Sequence, residues 1–393
     1  MHQPGIEEYN GRIRELQRQL TENNVPAALI LHYINLIYYT GTFGPDCLFV
    51  PAEGTPLYFS RRRSELPEFP WPTVAYKKWS DVPEYLSGKG LKSLASIGLE
   101  YNVLPVTLFR RVEKAFAGVK FVDVNGIIME QRSIKTPFEL EVLRKTAQWD
   151  LEVWNKVPEL IAQSATDTEL TARIEYEARL RGHFGLHRVH NFNLELPASL
   201  VTCGVAAAEC NLYEVPLSGR GLRDIYPQGA WGGTLAPGIA ITVDYGANYY
   251  GYTLDQTRTF AIESIPDRLN EAFQVVLAIQ EHAVKTIKPG ITCGEVFDGV
   301  YNIAKKAGLE EGFMGGAPFL GHGIGLEIDE FPPIAIGSRV PIKENMALAM
   351  EPKIIVPGVG AVGLENDFIV TKTGLERLTT YTDQLQVIMR SER

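Results

Sequence analysis

The chain has 393 residues, of which 45% are hydrophobic and 22% charged, ordinary usage for a globular protein; a collagen-like, low-complexity or disordered chain is excluded. At roughly 150 residues per domain this length points to two or three domains. Thirty-eight Lys and Arg against 47 Asp and Glu leave a formal charge of −9, which argues against nucleic acid or an anionic membrane surface as the main partner.

Residues 6–21 place Ile6, Tyr9, Ile13, Leu16 and Leu20 at helical spacing, and no apolar signal-peptide core precedes them. An apolar run follows over Ala27–Tyr39 and reads as a strand; His32 and Asn35 interrupt it, so it does not read as a membrane span. Further strands are predicted at Cys47–Val50 and Pro56–Ser60. The basic run Arg61-Arg62-Arg63 reads as a solvated edge. Helical and strand patterns alternate to about Val124, as in an α/β domain.

A boundary is expected at Arg132, giving an N-terminal domain over 1–132 and a second over 133–393. Past it, Thr136-Pro137-Phe138-Glu139 has the pattern of a capped helix start, and Thr166, Ser264 and Thr292 open similar segments. Two helix pairs, each associated with strand-rich sequence, suggest an architectural duplication. The four cysteines form no CxxC pair and read as reduced, buried thiols, which with the N-terminus suggests a cytoplasmic protein.

The chemistry is carried by carboxylates. Ile239–Phe260 reads as a hairpin, and a turn centred between Tyr249 and Tyr250 puts Asp244 opposite Asp255. Met346–Thr373 reads as a second hairpin, and a turn centred on Gly358 puts Glu351 opposite Glu365. Two carboxylates about 5 Å apart across a strand pair repel each other, so a proton or a cation is required between them. His322, between two glycines in FLGHGIG, is predicted to sit on an unusual turn that presents its imidazole to a cavity. Four carboxylates and one imidazole suit a pair of divalent ions, Mn²⁺ first, with Co²⁺, Fe²⁺ or Zn²⁺ as alternatives. His183, His187 and His190 are spaced too loosely to be preferred as a third metal site; His187 and His190 are candidates for lining the pocket.

The ordered motifs VDYGA, LDQTRTF, GHGIGLE, MEPK and GLEND resemble those of the pita-bread metallopeptidases, the family of methionine aminopeptidase, Xaa-Pro aminopeptidase and prolidase. The QRSIKTPFELEVLRKTA junction and the segment before it resemble the creatinase-like N-terminal domain of the proline-specific branch. The resemblance implies an α/β creatinase-like domain followed by an α+β pita-bread domain. It implies that Asp244 holds one ion, that Asp255 and Glu365 bridge two, and that His322 and Glu351 hold the other. It further implies a metal-bridging hydroxide, with Glu351 moving the proton, in a homodimeric exopeptidase acting on short Xaa-Pro peptides as aminopeptidase or dipeptidase.

Four positions depart from the resembled pattern. Asn211 and Asp329 stand where histidines line the substrate site; both are carried as catalytic candidates, Asn211 as an oxyanion donor and Asp329 as a partner for a cationic group or an N–H. Gly363 stands where an Arg is frequent, and Lys353 replaces the Gly that usually follows Glu-Pro. An altered pocket follows, and with it two other readings: a hydrolase or lyase of a non-peptide C–N substrate on the same fold, and, ranked last, a catalytically silent binding module.

Overall fold

The computed structural model describes residues 4–44, 46–61, 70–91, 94–190, 193–209, 215–223 and 225–390. Arg62, Arg63, Cys210 and Asn211, which figure in the sequence reading, lie outside them. The chain forms two compact units, one of Met1–Arg132 with His190–Leu194, the other of Ser133–Val189 with Glu195–Arg393. No helix among the described residues is long and apolar enough to cross a membrane.

The first unit is built on a six-stranded mixed sheet. Its order is Thr73–Ala75, Leu57–Ser60, Cys47–Pro51, Ala27–Ile30, Ser96–Leu99, Lys120–Asp123. The last three strands run parallel, with Val106–Ala115 crossing between two of them as a helix. The helix Ile6–Glu22 buries Ile13, Leu16 and Leu20, as their spacing predicts.

The run Ala27–Tyr39 is not one strand. The strand ends at Ile30, and Tyr33–Thr40 is a helix closed by Gly41 in the left-handed region at φ 70°. Most of that helix is buried, so its sequence is apolar without a polar face, and periodicity cannot separate it from a buried strand. Its buried Asn35 is tied by Glu100 Oε1 at 2.8 Å and by Arg132 Nη1 at 2.9 Å.

The second unit opens with the helix Pro137–Trp154, whose N-cap Thr136 and Glu139 form a complete capping box. This helix, Val157–Gln163 and Asp167–Leu180 pack on a sheet ordered Gln386–Ile388, Thr257–Ile262, Ala240–Tyr245, Ser199–Cys203, around a core that includes Trp154, Ile174, Val243 and Phe260. The helices Asp267–Thr286 and Cys293–Lys306 share a second core with a five-stranded sheet ordered Glu330–Ala335, Phe319–Gly323, Ala347–Met350, Asn366–Val370, Leu375–Arg377. Thr292 and Glu295 cap the second of these helices reciprocally. Each half is thus a sheet with helices on it, the duplication of architecture that the sequence suggests.

Candidate metal centre

The first hairpin turns at Tyr250 and Gly251, at φ 53° and 87°, one residue beyond the predicted centre. A two-residue turn with positive φ at both positions is best served by a glycine second. Asp244 therefore pairs with Thr257 rather than with Asp255. The hydrogen bonds Tyr245 N–H to Gln256 O and Leu254 N–H to Ala247 O place Asp255 opposite Gly246. A Cβ at Gly246 would lie 1.8 Å from the Leu254 carbonyl oxygen, so only glycine fits there. The register error is two residues, and side chains alternate with period two. Asp244 and Asp255 accordingly remain on one face as diagonal neighbours.

The second hairpin has the predicted register. Met350 pairs with Asn366 and Lys353 with Gly363, which brackets Glu351 opposite Glu365. Both lie in the short break between two ladders, where Glu351 N–H donates to Leu320 O at 2.9 Å and Glu365 N–H to Thr257 O at 3.0 Å.

His322 is not on a turn. It is a strand residue paired with Ala349. Its flanking glycines serve close packing: a Cβ at Gly321 would lie 2.0 Å from Ala349 O, and one at Gly323 would lie 2.4 Å from Phe331 O.

These elements bring Asp255, His322 and Glu365 together, each offering an atom within 4.8 Å of the others. His322 Nδ1 donates to Gly323 O at 3.0 Å, which leaves Nε2 facing the acids. Nε2 is 3.2 Å from Asp329 Oδ1, 3.6 Å from Glu351 Oε1 and 3.9 Å from Asp255 Oδ2. Three carboxylates around one ring nitrogen demand a positive charge there, a proton or a metal ion. Burial opposes the charged imidazole, but Asp329, Glu351 and Glu365 outweigh it and hold His322 above its usual pKa. Burial raises Asp255 well above the carboxylate range, with Glu365 and Asp244 adding to it. Burial likewise pushes Glu365 up to about 8, against the opposing pull of Lys353.

Lys353 is inside this cluster. Its Nζ is 2.6 Å from Glu351 Oε2, 3.1 Å from Asp244 Oδ2 and 3.3 Å from Glu365 Oε2, and its side chain is 2% exposed. The sequence shows this lysine as a departure in MEPK, but not that it reaches the carboxylates. Other residues that the sequence reading did not single out hold the cluster from behind. Thr257 Oγ1 donates to Glu365 Oε2 at 2.8 Å. Asp367 Oδ2 accepts the Asp255 backbone N–H at 2.7 Å. Arg258 donates to the carbonyls of Thr257 and Glu365 at 2.8 and 2.6 Å. Their only signal is position: all lie inside the quoted motifs, two or three residues from a ligand carboxylate.

Partners that orient ligating groups typically matter by about 10–100-fold in metal affinity. Thr257→Val, which keeps shape and removes the donor to Glu365, is expected to weaken Mn²⁺ binding by about that factor in a competitive chelator titration.

The cleft beside the cluster encloses about 460 Å³ when the solvent at its mouth is included. Asp244, Asp255, His322, Asp329, Glu351 and Lys353 line it, and Leu196, Pro197, Leu200, Pro216 and Ile328 add apolar lining. His187 also lines it, whereas His190 is grouped with the first unit. His183 and His187 are placed as structural groups, ring centroids 5.7 Å apart, bonded to Gly246 O and Ala198 O at 3.1 and 3.3 Å.

Burial lowers both histidines to about 4; a backbone carbonyl pulls against it at each, and His183 adds to the lowering at His187. The unfolded chain protonates them near 6.5, so between pH 4 and 6.5 it binds protons that the folded chain does not. Their contribution is complete above pH 6.5 and is lost as pH falls toward 4, on the order of 3 kcal/mol for each. Urea unfolding of the wild type and His187→Gln across this range checks it: the wild type should lose more stability on acidification, and parallel curves would refute the assignment.

The model of metallopeptidase family M24 matches residues 141–372, more than half of the chain, and that of the creatinase/prolidase N-terminal domain matches residues 12–134. The chain is 27% identical over 373 residues to a Xaa-Pro dipeptidase of Pyrococcus furiosus, covering 94% of this chain and 97% of that one. It is 28% identical to a Xaa-Pro dipeptidase of Lactobacillus delbrueckii subsp. lactis, covering 95% and 98%. Among solved structures, a Xaa-Pro dipeptidase from Bacillus anthracis superposes with a TM-score of 0.81 at 24% identity, covering 96% and 99%, and so shares the fold. An X-Pro aminopeptidase from Thermotoga maritima does so at 0.78 and 24%, covering 96% and 99%. With a creatinase-like α/β domain ahead of a pita-bread domain, the chain belongs to metallopeptidase family M24.

Proposed function

We propose that this protein is a metal-dependent exopeptidase acting on short peptides with proline near the N-terminus, of the Xaa-Pro dipeptidase or aminopeptidase type. The observation that carries the reading is the convergence of Asp255, His322 and Glu365, within 4.8 Å of one another, with Asp255 and His322 lining a cleft that also has apolar lining residues. Buried Glu365 Oε1 has no hydrogen-bond partner, an orphaned acceptor that a divalent ion satisfies. The donor set therefore fits a metal. Carboxylate oxygens and one imidazole favour Mn²⁺, with Co²⁺, Fe²⁺ and Zn²⁺ as alternatives. When bound, the metal supplies Lewis acidity to a scissile carbonyl.

The residues themselves do the rest. Burial raises the Glu351 carboxyl above its usual range, against the pull of Lys353 and His322, a shift in the direction that favours proton uptake. Leu200, Pro216 and Ile328 offer the apolar surface on which a prolyl ring packs. Asp329, 3.2 Å from His322 Nε2, would accept from a cationic substrate group. That acid, standing where the resembled family has a histidine, also favours the second reading, a small cationic non-peptide C–N substrate. The homodimer and the cytoplasmic setting rest on the family likeness and on the buried free thiols of Cys47, Cys203 and Cys293.

The test is product analysis by mass spectrometry. Mn²⁺-loaded protein is incubated with X-Pro dipeptides, X-Pro-Y tripeptides and X-Ala controls, with Asp255→Ala as blank. Asp255-dependent release of the first residue, with proline preferred next to it, is expected. Identical products from both proteins on every peptide, with metal bound, would reject the peptidase reading.

A further inference from the structure

The proposed function takes a metal as given; the number of ions is a separate matter. The resembled family pattern calls for two, one held by Asp244, the other by His322 and Glu351, with Asp255 and Glu365 bridging them. Here the oxygens Asp244 Oδ2, Glu351 Oε2 and Glu365 Oε2 are already engaged by one group. An ammonium has three donors and no acceptor, and the three distances of 3.1, 2.6 and 3.3 Å use all of them. A metal ion using the same oxygens would need them at about 2.0–2.2 Å, in the space that the Lys353 ammonium fills.

The seat for this lysine is built. Lys353 and Gly363 are cross-strand partners. A Cβ at Gly363 would lie 2.8 Å from Lys353 Cγ, so any side chain there would collide with the lysine stem. These facing positions are two of the departures from the family pattern, glycine to lysine on one strand and arginine to glycine on the other. They are one structural change: space vacated at 363 is the space that Lys353 crosses. Lys353 also brings its own positive charge to Asp244, Glu351 and Glu365, the work that a second ion would do on those oxygens.

The opposite side of the cluster is different. Lys353 bonds neither His322 nor Asp255, and Glu365 Oε1 is left buried without a partner. Asp255, His322 and Glu365 remain within 4.8 Å of one another there.

We propose that the Lys353 ammonium is a resident cation that replaces one of the two ions, so that the centre takes a single divalent ion on Asp255, His322 and Glu365, with Glu351 beside it. This rests on the metal-binding part of the function proposed above, and not on the substrate.

The experiment counts metal. Full-length protein is stripped with chelator, equilibrated with excess Mn²⁺, freed of unbound ion by gel filtration and assayed by plasma mass spectrometry and electron paramagnetic resonance. One Mn²⁺ per chain with the spectrum of an isolated ion is expected for the wild type. Two per chain with a spin-coupled spectrum are expected for Lys353→Gly, and for Lys353→Gly combined with Gly363→Arg, which restores the family pattern. Two ions in the wild type, or none, overturn the proposal whatever the variants do. One ion in folded variants, judged by circular dichroism, overturns the role given to Lys353. Peptide hydrolysis is scored separately: a one-ion wild type that cleaves no peptide rejects the peptidase reading and leaves the cation count standing.

Discussion

Asp255→Ala is expected to lower kcat/KM on Xaa-Pro substrates by about 10³-fold or more. Metal assistance contributes several kcal/mol to the transition state, and each ~1.4 kcal/mol is a factor of ten in rate. Asp255 is one of three residues whose ligand atoms converge within 4.8 Å, and its backbone is anchored by Asp367 at 2.7 Å. Alanine removes a ligand without a clash, so bound Mn²⁺ should fall with activity. Stability should move the other way in metal-free protein. Burial holds the Asp255 carboxyl well above its usual range, with Glu365 and Asp244 as repelling neighbours, and removing it relieves that crowding. The variant is expected to unfold in urea at a concentration equal to or above that of the stripped wild type. Turnover within about tenfold of the wild type would show that the cluster is not the reaction centre.

Arg258→Met is expected to destabilise the protein by about 3–5 kcal/mol, the usual loss when one member of a buried ionic network is removed. Arg258 is 2% exposed and paired with Asp383 at 3.3 Å. Its guanidinium also donates to the carbonyls of Thr257, Glu365, Tyr381 and Thr382 and to Asn366 Oδ1, at 2.6–2.8 Å. Burial lowers its pKa to about 10, so it stays charged at neutral pH. Methionine fills the volume but leaves these acceptors unsatisfied. Because two of them are the backbone of Thr257 and Glu365, metal affinity should fall as well. Arg258→Lys should rescue little, since an ammonium cannot match a planar fork of five donors. Equilibrium urea unfolding checks the prediction, and a loss under about 1 kcal/mol would refute it.

What could be read from the chain alone was local. The capping boxes at Thr136 and Thr292 depend on residues three apart, and both form. The second hairpin turns about Pro357-Gly358, and its register brackets Glu351 against Glu365 as expected. The order of five acid and imidazole motifs carried the fold class through their resemblance to a known family, while the opposed carboxylates by themselves pointed only to a proton or a cation between them.

What needed the tertiary structure was every feature set by contacts distant in sequence. The turn at Tyr250-Gly251 moved Asp244 from Asp255 to Thr257, although the period of two kept both acids on one face. The split of Ala27–Tyr39 into strand and helix follows from burial on all sides, which erases periodicity. The glycines around His322 serve backbone packing against Ala349 and Phe331, invisible without the neighbouring strands. Above all, Lys353 in the sequence is a substitution after Glu-Pro; only the fold shows that Gly363 opens its path and that three carboxylates receive it. A side chain's type is written in the sequence, but the charge it meets is decided by which strands the sheet brings beside it.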